Sequence, residues 1–435
     1  MTPLSVLRSS SFGQRTAEEE REKLHEYFVE TEQWRQVFDG DIDVIYGPKG
    51  SGKSAIYSLI VQNQDALFDR DILIVTAENP QGAPAFQSLS DDPPKDEFEF
   101  VSLWKLYALT LCGQAIKDYG LTGEKCKKVV AELENADLLP SNFSLAKALR
   151  YAFDYVRRFS RPDALETELK FDVNTGLPTG LKGRISLREP GAAQAKKGIV
   201  SIDDLFSTAN EALREAGQSV WILLDRLDVA FADKPGLETL ALRALFKFYL
   251  DTKSLRQIKT KIFLRTDIWS AITKEGFREA SHIERSLEIR WKVEDLTNLV
   301  AKRALSNREI CQFYNLKKED VLGNYKSQEA FIFRMFPQQV ETGPNKPNTF
   351  SWILGRTRDA VQKSAPRELI HFLNVLRDVQ INRLERGERP PTEGRLFEQI
   401  AFKDTLPTVS KVRLSIGVQK GPRIGVQKGP IGRHA

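Results

Sequence analysis

Hydrophobic residues along the chain fall into two kinds of pattern. Short stretches that read as strands occupy 44–46, 72–75, 220–224, 258–265 and 286–290, the first three as unbroken apolar runs. Runs of this length without alternation are what parallel strands buried on both faces require. Longer segments repeat their apolar residues at helical intervals, at 17–38, 56–60, 100–116, 145–159 and 293–303. Strand and helix patterns alternate, so the expectation is an α/β fold around a parallel sheet. About 140 residues separate the second run from the third, too many for a simple connection, and a mostly helical insert is expected at about 80–200. Phe100, Trp104 and Tyr107 within it read as core. Glycine and proline break the region 161–197, leaving one strand-like piece near 182–187.

The two ends differ from the rest. Residues 1–16 are serine-rich and aperiodic and are expected to be disordered. The stretch 405–435 carries the string IGVQKGP twice, at 416–422 and 424–430, and reads as a disordered basic tail. Between the ends, the expected organisation is a core domain at 17–292, including the insert, followed by a helical lid domain at 293–404.

Composition narrows the class. With 435 residues, 41% of them apolar, the chain has material for more than one core. Three scattered cysteines support neither a disulfide framework nor a four-cysteine zinc site. No signal-peptide core and no run long enough to span a membrane is present, so a cytoplasmic protein with no membrane partner is expected. The formal charge is +5, but after Asp404 six cations stand without an acid. The excess is therefore a property of the tail and does not mark the folded part as nucleic-acid-binding.

The candidate chemistry begins where the first apolar run ends. Gly47, Gly52, Lys53 and Ser54 have the spacing G-x-x-x-x-G-K-S between a strand and a helix, the context in which a glycine loop cradles phosphates. Gly47, Pro48, Lys49, Gly50, Ser51, Gly52, Lys53, Ser54 and Ala55 are the expected nucleotide-binding residues. Lys53 would reach the β- and γ-phosphates, and Ser54 would hold Mg²⁺. The run 220–224 ends in Asp225, the Walker B pattern, which supplies a second ligand for Mg²⁺ at the C-terminal edge of a parallel sheet. ATP is expected rather than GTP, because no N-K-x-D base-reading motif follows; the nearest string, at 345–348, lacks the aspartate.

The strings FVETEQW, GPKGSGKSAIY, VWILLDRLDVAF, KIFLRTDIW, EASHI and APRELIHFL together resemble the FunZ-like bacterial P-loop ATPases, related to the STAND and AAA+ groups. The resemblance spans roughly Phe12 to Leu384. It implies a P-loop NTPase of the additional-strand class, with sheet order 5-1-4-3-2 and a helical lid. In such proteins the polar end of the fourth strand senses the γ-phosphate, a role that falls to Arg265 or Thr266. A lid arginine does the same, here Arg367, and an arginine finger from Arg278 or Arg285 would imply a homo-oligomer. The segment before the first strand, with Tyr27, Phe28 and Thr31, would lie near the base. One departure matters: the glutamate that usually follows the Walker B aspartate is replaced by Arg226, leaving Asp228 as the nearest candidate base. The implied function is an Mg²⁺-dependent ATPase acting as a switch or assembly device in bacterial signalling or defence. An AAA+-like DNA remodeller and an ATP-binding scaffold with little hydrolysis remain open, as does an unidentified protein or nucleic-acid partner.

Overall fold

The computed structural model describes residues 1–17, 19–77, 93–160, 185–196, 198–227, 234–274, 277–358 and 364–418. The chain divides into two compact units. A sheet unit comprises Thr16–His25 and Glu30–Arg290, and a helical unit comprises Met1–Arg15, Glu26–Val29 and Trp291–Ala435.

The sheet unit is built on five parallel strands, β1 (Val44–Gly47), β2 (Ile72–Thr76), β5 (Ser219–Leu224), β6 (Ile258–Arg265) and β7 (Ser286–Glu288). Their spatial order is β2-β5-β6-β1-β7, the order that the resemblance implies. Two short strands, β3 (Ile185–Ser186) and β4 (Val200–Ser201), pair separately. The continuous apolar run of β5 follows from its place inside the sheet: Val220, Trp221, Ile222, Leu223 and Leu224 are all buried.

The described residues of the insert do not form a core of their own. Helix Glu97–Asp118 packs on helix Pro235–Thr252, which connects β5 to β6. Trp104 Nε1 donates to Ala241 O at 2.9 Å, and Tyr107 OH donates to Ala77 O, just beyond β2, at 2.7 Å. Phe100, Trp104 and Tyr107 belong to the same apolar cluster as Val44, Leu73 and Ile222. Hydrogen bonding at the buried indole and phenol tips is what lets such large side chains enter that cluster.

In the helical unit, Trp352, Phe372, Phe397 and Phe402 pack edge-to-face or tilted at the centre. Here the two ends of the chain depart from expectation. Residues 1–16 were expected to be disordered, yet Thr2 caps helix Pro3–Ser9 and Val6, Leu7 and Phe12 are buried. Arg303 Nη1 donates to Phe12 O, Arg377 Nη1 to Ser10 O and Asn374 Nδ2 to Gly13 O, at 2.7–2.8 Å. Three apolar side chains and a capped turn outweigh the serine-rich composition. The expected disordered tail likewise begins inside helix Gln399–Val418, where Phe402, Thr405 and Val409 are buried. Their spacing is helical, a signal masked by the acid-free composition. The second IGVQKGP copy lies outside the described residues.

The helix expected at 17–38 is also interrupted. Thr31 starts a separate helix, Glu32–Phe38, by accepting a hydrogen bond from Trp34 N at 3.2 Å. Tyr27 falls in the helical unit under the guanidinium of Arg303, 4.8 Å from its ring.

The N-terminal edge of the sheet holds a buried ionic cluster. Asp43, immediately before β1, meets Lys261 Nζ at 3.1 Å and Arg285 Nε at 2.7 Å, and accepts from Tyr249 OH at 3.2 Å. Lys261 lies on β6 with 0% exposure, and its ammonium sits 4.4 Å from the Trp221 ring. Burial pushes the lysine down to about 8 against the pull of Asp43. Burial, with Asp43 beside it, pushes the Tyr249 phenol up. Arg285, a candidate finger by sequence, is thus held within its own chain at the edge opposite the end of β1. Removing the shared carboxylate strands two cations, so Asp43→Ala is expected to cost about 3–5 kcal/mol in urea unfolding. Lys261→Met, which removes a buried charge and keeps the Asp43–Arg285 pair, is expected to cost less. An unchanged midpoint for Asp43→Ala contradicts this account of the edge.

Candidate functional site

At the opposite edge, β1 ends at Gly47 and the chain turns into helix Lys53–Gln62. Close packing dictates the first glycine: a Cβ on Gly47 would stand 2.5 Å from Ser51 Oγ and 3.3 Å from Ile289 Cβ. Backbone conformation dictates the second, since Gly52 at the helix N-cap has φ 100°, a region closed to most side chains. With glycine there, no side chain caps the first turn of the helix, which leaves that positive end for an anion. Lys53 folds back over the loop, donating from Nζ to Gly47 O at 2.9 Å and Pro48 O at 3.0 Å.

Asp225 follows the last residue of β5 and is 6% exposed. Its Oδ2 accepts a hydrogen bond from Ser54 Oγ at 3.0 Å, across 171 residues of sequence. A hydroxyl and a carboxylate so close offer two oxygen donors, a set that suits a hard divalent cation such as Mg²⁺. The next residue, Arg226, is in the left-handed region with φ 59°.

Between these strands runs β6, whose Arg265 is in register with Gly47. The fork of Arg265 grips Asp267, with Nε 3.0 Å from Oδ1 and Nη2 on Oδ2. Thr266 Oγ1, one residue on, is buried without a hydrogen-bond partner among the described residues. Sequence reading missed an aromatic wall here: Tyr46 on β1 stacks on Trp269, centroids 5.2 Å apart. The tryptophan in KIFLRTDIW was the available signal.

The structure thus gathers Gly47, Pro48, Lys53, Ser54 and Asp225 at one edge, with Arg265 in register beside them. Arg367 belongs to the helical unit, in the first turn of helix Pro366–Glu385, where its Nε is buried without a hydrogen-bond partner among the described residues. Asp228 and the side chain of Arg278 lie outside the described residues. Chemically, the edge combines an uncapped helix N-terminus, an ammonium and a carboxylate–hydroxyl pair, a set able to hold a phosphate and a divalent cation together.

No family model matches the chain. It is 26% identical over 311 residues, 68% of its length, to an Escherichia coli (strain K12) protein described as "Putative transposon gamma-delta 80.3 kDa protein". The match spans 39% of that protein's length. Among the described residues, no helix is long and apolar enough to cross a membrane.

The conformation of Gly52 makes a direct prediction. Gly52→Ala places a Cβ at φ 100° and is expected to lower stability by about 1–2 kcal/mol, read from denaturant unfolding. Equal stability contradicts the left-handed N-cap.

Proposed function

We propose that the chain is a P-loop NTPase of the additional-strand class that binds ATP with Mg²⁺ and hydrolyses it as a nucleotide-dependent switch. The observation that carries this reading is the convergence of Lys53, Ser54 and Asp225 on the glycine loop, with β6 between the two strands that deliver them. The backbone N–H groups of the loop would take the phosphates. Lys53 would reach β- and γ-phosphate oxygens through charge-assisted hydrogen bonds. Ser54 and Asp225 would hold Mg²⁺, which supplies neutralisation of phosphate charge. In this reading Arg265, Asp228 and Arg367 remain the candidates for γ-phosphate sensing and base catalysis. The three cysteines are free thiols, in keeping with a cytoplasmic protein. Membership of the FunZ-like group and work as an assembly in bacterial signalling or defence are part of the same proposal and rest on motif resemblance.

Two outcomes test it. A fluorescent ATP analogue is expected to bind saturably, and Lys53→Ala to weaken binding at least about tenfold through loss of a charge-assisted contact. Equal binding by both proteins contradicts the proposal. Separately, Mg²⁺ is expected to tighten ATP binding to the wild type, and Asp225→Asn to abolish most of that gain. If chelating Mg²⁺ changes nothing in the wild type, the metal assignment fails.

A second reading is an ATP-dependent remodeller of mobile DNA, favoured by the description of the transposon protein. It requires duplex binding that weakens steeply with salt. Fluorescence anisotropy with labelled duplex at two salt concentrations decides it, and absence of binding at low salt removes it.

A further inference from the structure

Arg226 stands immediately after Asp225, where the structure combines three features. The first is position. Adjacent Cα atoms lie about 3.8 Å apart, and Asp225 Oδ2 is 3.0 Å from Ser54 Oγ, the second residue of the helix that closes the glycine loop. An arginine side chain starting one residue from that contact is long enough to reach a phosphate held by the loop.

The second is conformation. Extended backbone would carry residue 226 to the same face as Leu224, which is buried in the apolar core. Instead φ is 59° at Arg226, the chain turns, and Leu227 takes the core position with 0% exposure. Arginine has neither glycine's freedom nor the short polar side chain that eases asparagine into this region. Backbone held in such a conformation by its surroundings is characteristic of functional sites. Asn315, by contrast, adopts it at a helix C-cap, its ordinary place.

The third is the lack of an anion. Arg265 is gripped by Asp267, Arg285 by Asp43 and Arg290 by Glu288. Arg226 is half-buried, and among the described residues it makes no hydrogen bond, ion pair or ring contact. A guanidinium partly withdrawn from water and left unpaired is a site for a bidentate anion.

We propose that Arg226 binds the γ-phosphate of ATP in the same chain, acting as an arginine finger supplied in cis in place of the water-orienting glutamate. The proposal rests on the nucleotide reading of the loop. Arginine does not serve as a base, so its contribution is to hold the terminal phosphoryl group and the negative charge on its oxygens. ADP offers no such group. Arg226 therefore makes the site discriminate ATP from ADP without a neighbouring subunit.

The test compares the full chain with Arg226→Gly, Arg226→Asn and Arg226→Lys. Glycine and asparagine both tolerate the left-handed backbone, so they remove the guanidinium without adding strain. Dissociation constants for Mg·ATPγS and Mg·ADP are measured by calorimetry. The expected result is a wild-type preference for ATPγS that falls at least about tenfold in the glycine and asparagine variants. ADP affinity stays unchanged and the lysine variant retains part of the preference. If the wild type binds both nucleotides and the two variants keep its preference, the role of Arg226 is overturned while the loop assignment stands. If the wild type binds neither nucleotide, the loop assignment falls and the proposal with it.

Discussion

The hydrogen bond between Ser54 and Asp225 depends on a sheet in which β6 separates β1 from β5. All three strands are parallel and in a register that brings their C-terminal ends to one edge. Each end contributes a different functional group, because the connections leave the strands in different ways. β1 turns through glycines into a helix whose first residues are Lys53 and Ser54. β5 delivers a buried carboxylate, and β6 runs straight into helix Thr266–Lys274. Without burial on both faces the strands would not hold that register, since their apolar side chains tie each one to helices above and below.

Charged groups gather at both edges of the sheet. At the N-terminal edge, Asp43 is consumed by Lys261, Arg285 and Tyr249, and the cluster fixes β1 against β6 and the segment leading into β7. At the C-terminal edge, Lys53 donates to the carbonyls of Gly47 and Pro48, Asp225 accepts from Ser54, and Arg265 pairs with Asp267.

Much of this was legible in the sequence. Unbroken apolar runs mark β1, β2 and β5 as parallel strands, and G-x-x-x-x-G-K-S locates the loop because each glycine answers a steric demand. Pattern was silent where tertiary contacts decide. Residues 1–16 look formless because Val6, Leu7 and Phe12 lie within a polar string, and only packing shows that they are core. Lys261 reads as an outward-facing lysine within β6, yet it is buried because Asp43 and Trp221 await it. The pairing of Arg285 with Asp43 has no sequence signature, since the two lie 242 positions apart. The left-handed turn at Arg226 has no sequence signature, since neither glycine nor asparagine stands there.

Hydrogen–deuterium exchange of the full chain with and without Mg·ATP tests the central claim most directly. Binding at the loop is expected to slow exchange across residues 47–56 and at 223–227, where Ser54 and Asp225 come together. The backbone around Asp43 and Lys261, already closed, is expected to change little. Unchanged exchange at 47–56 under saturating Mg·ATP would contradict the account.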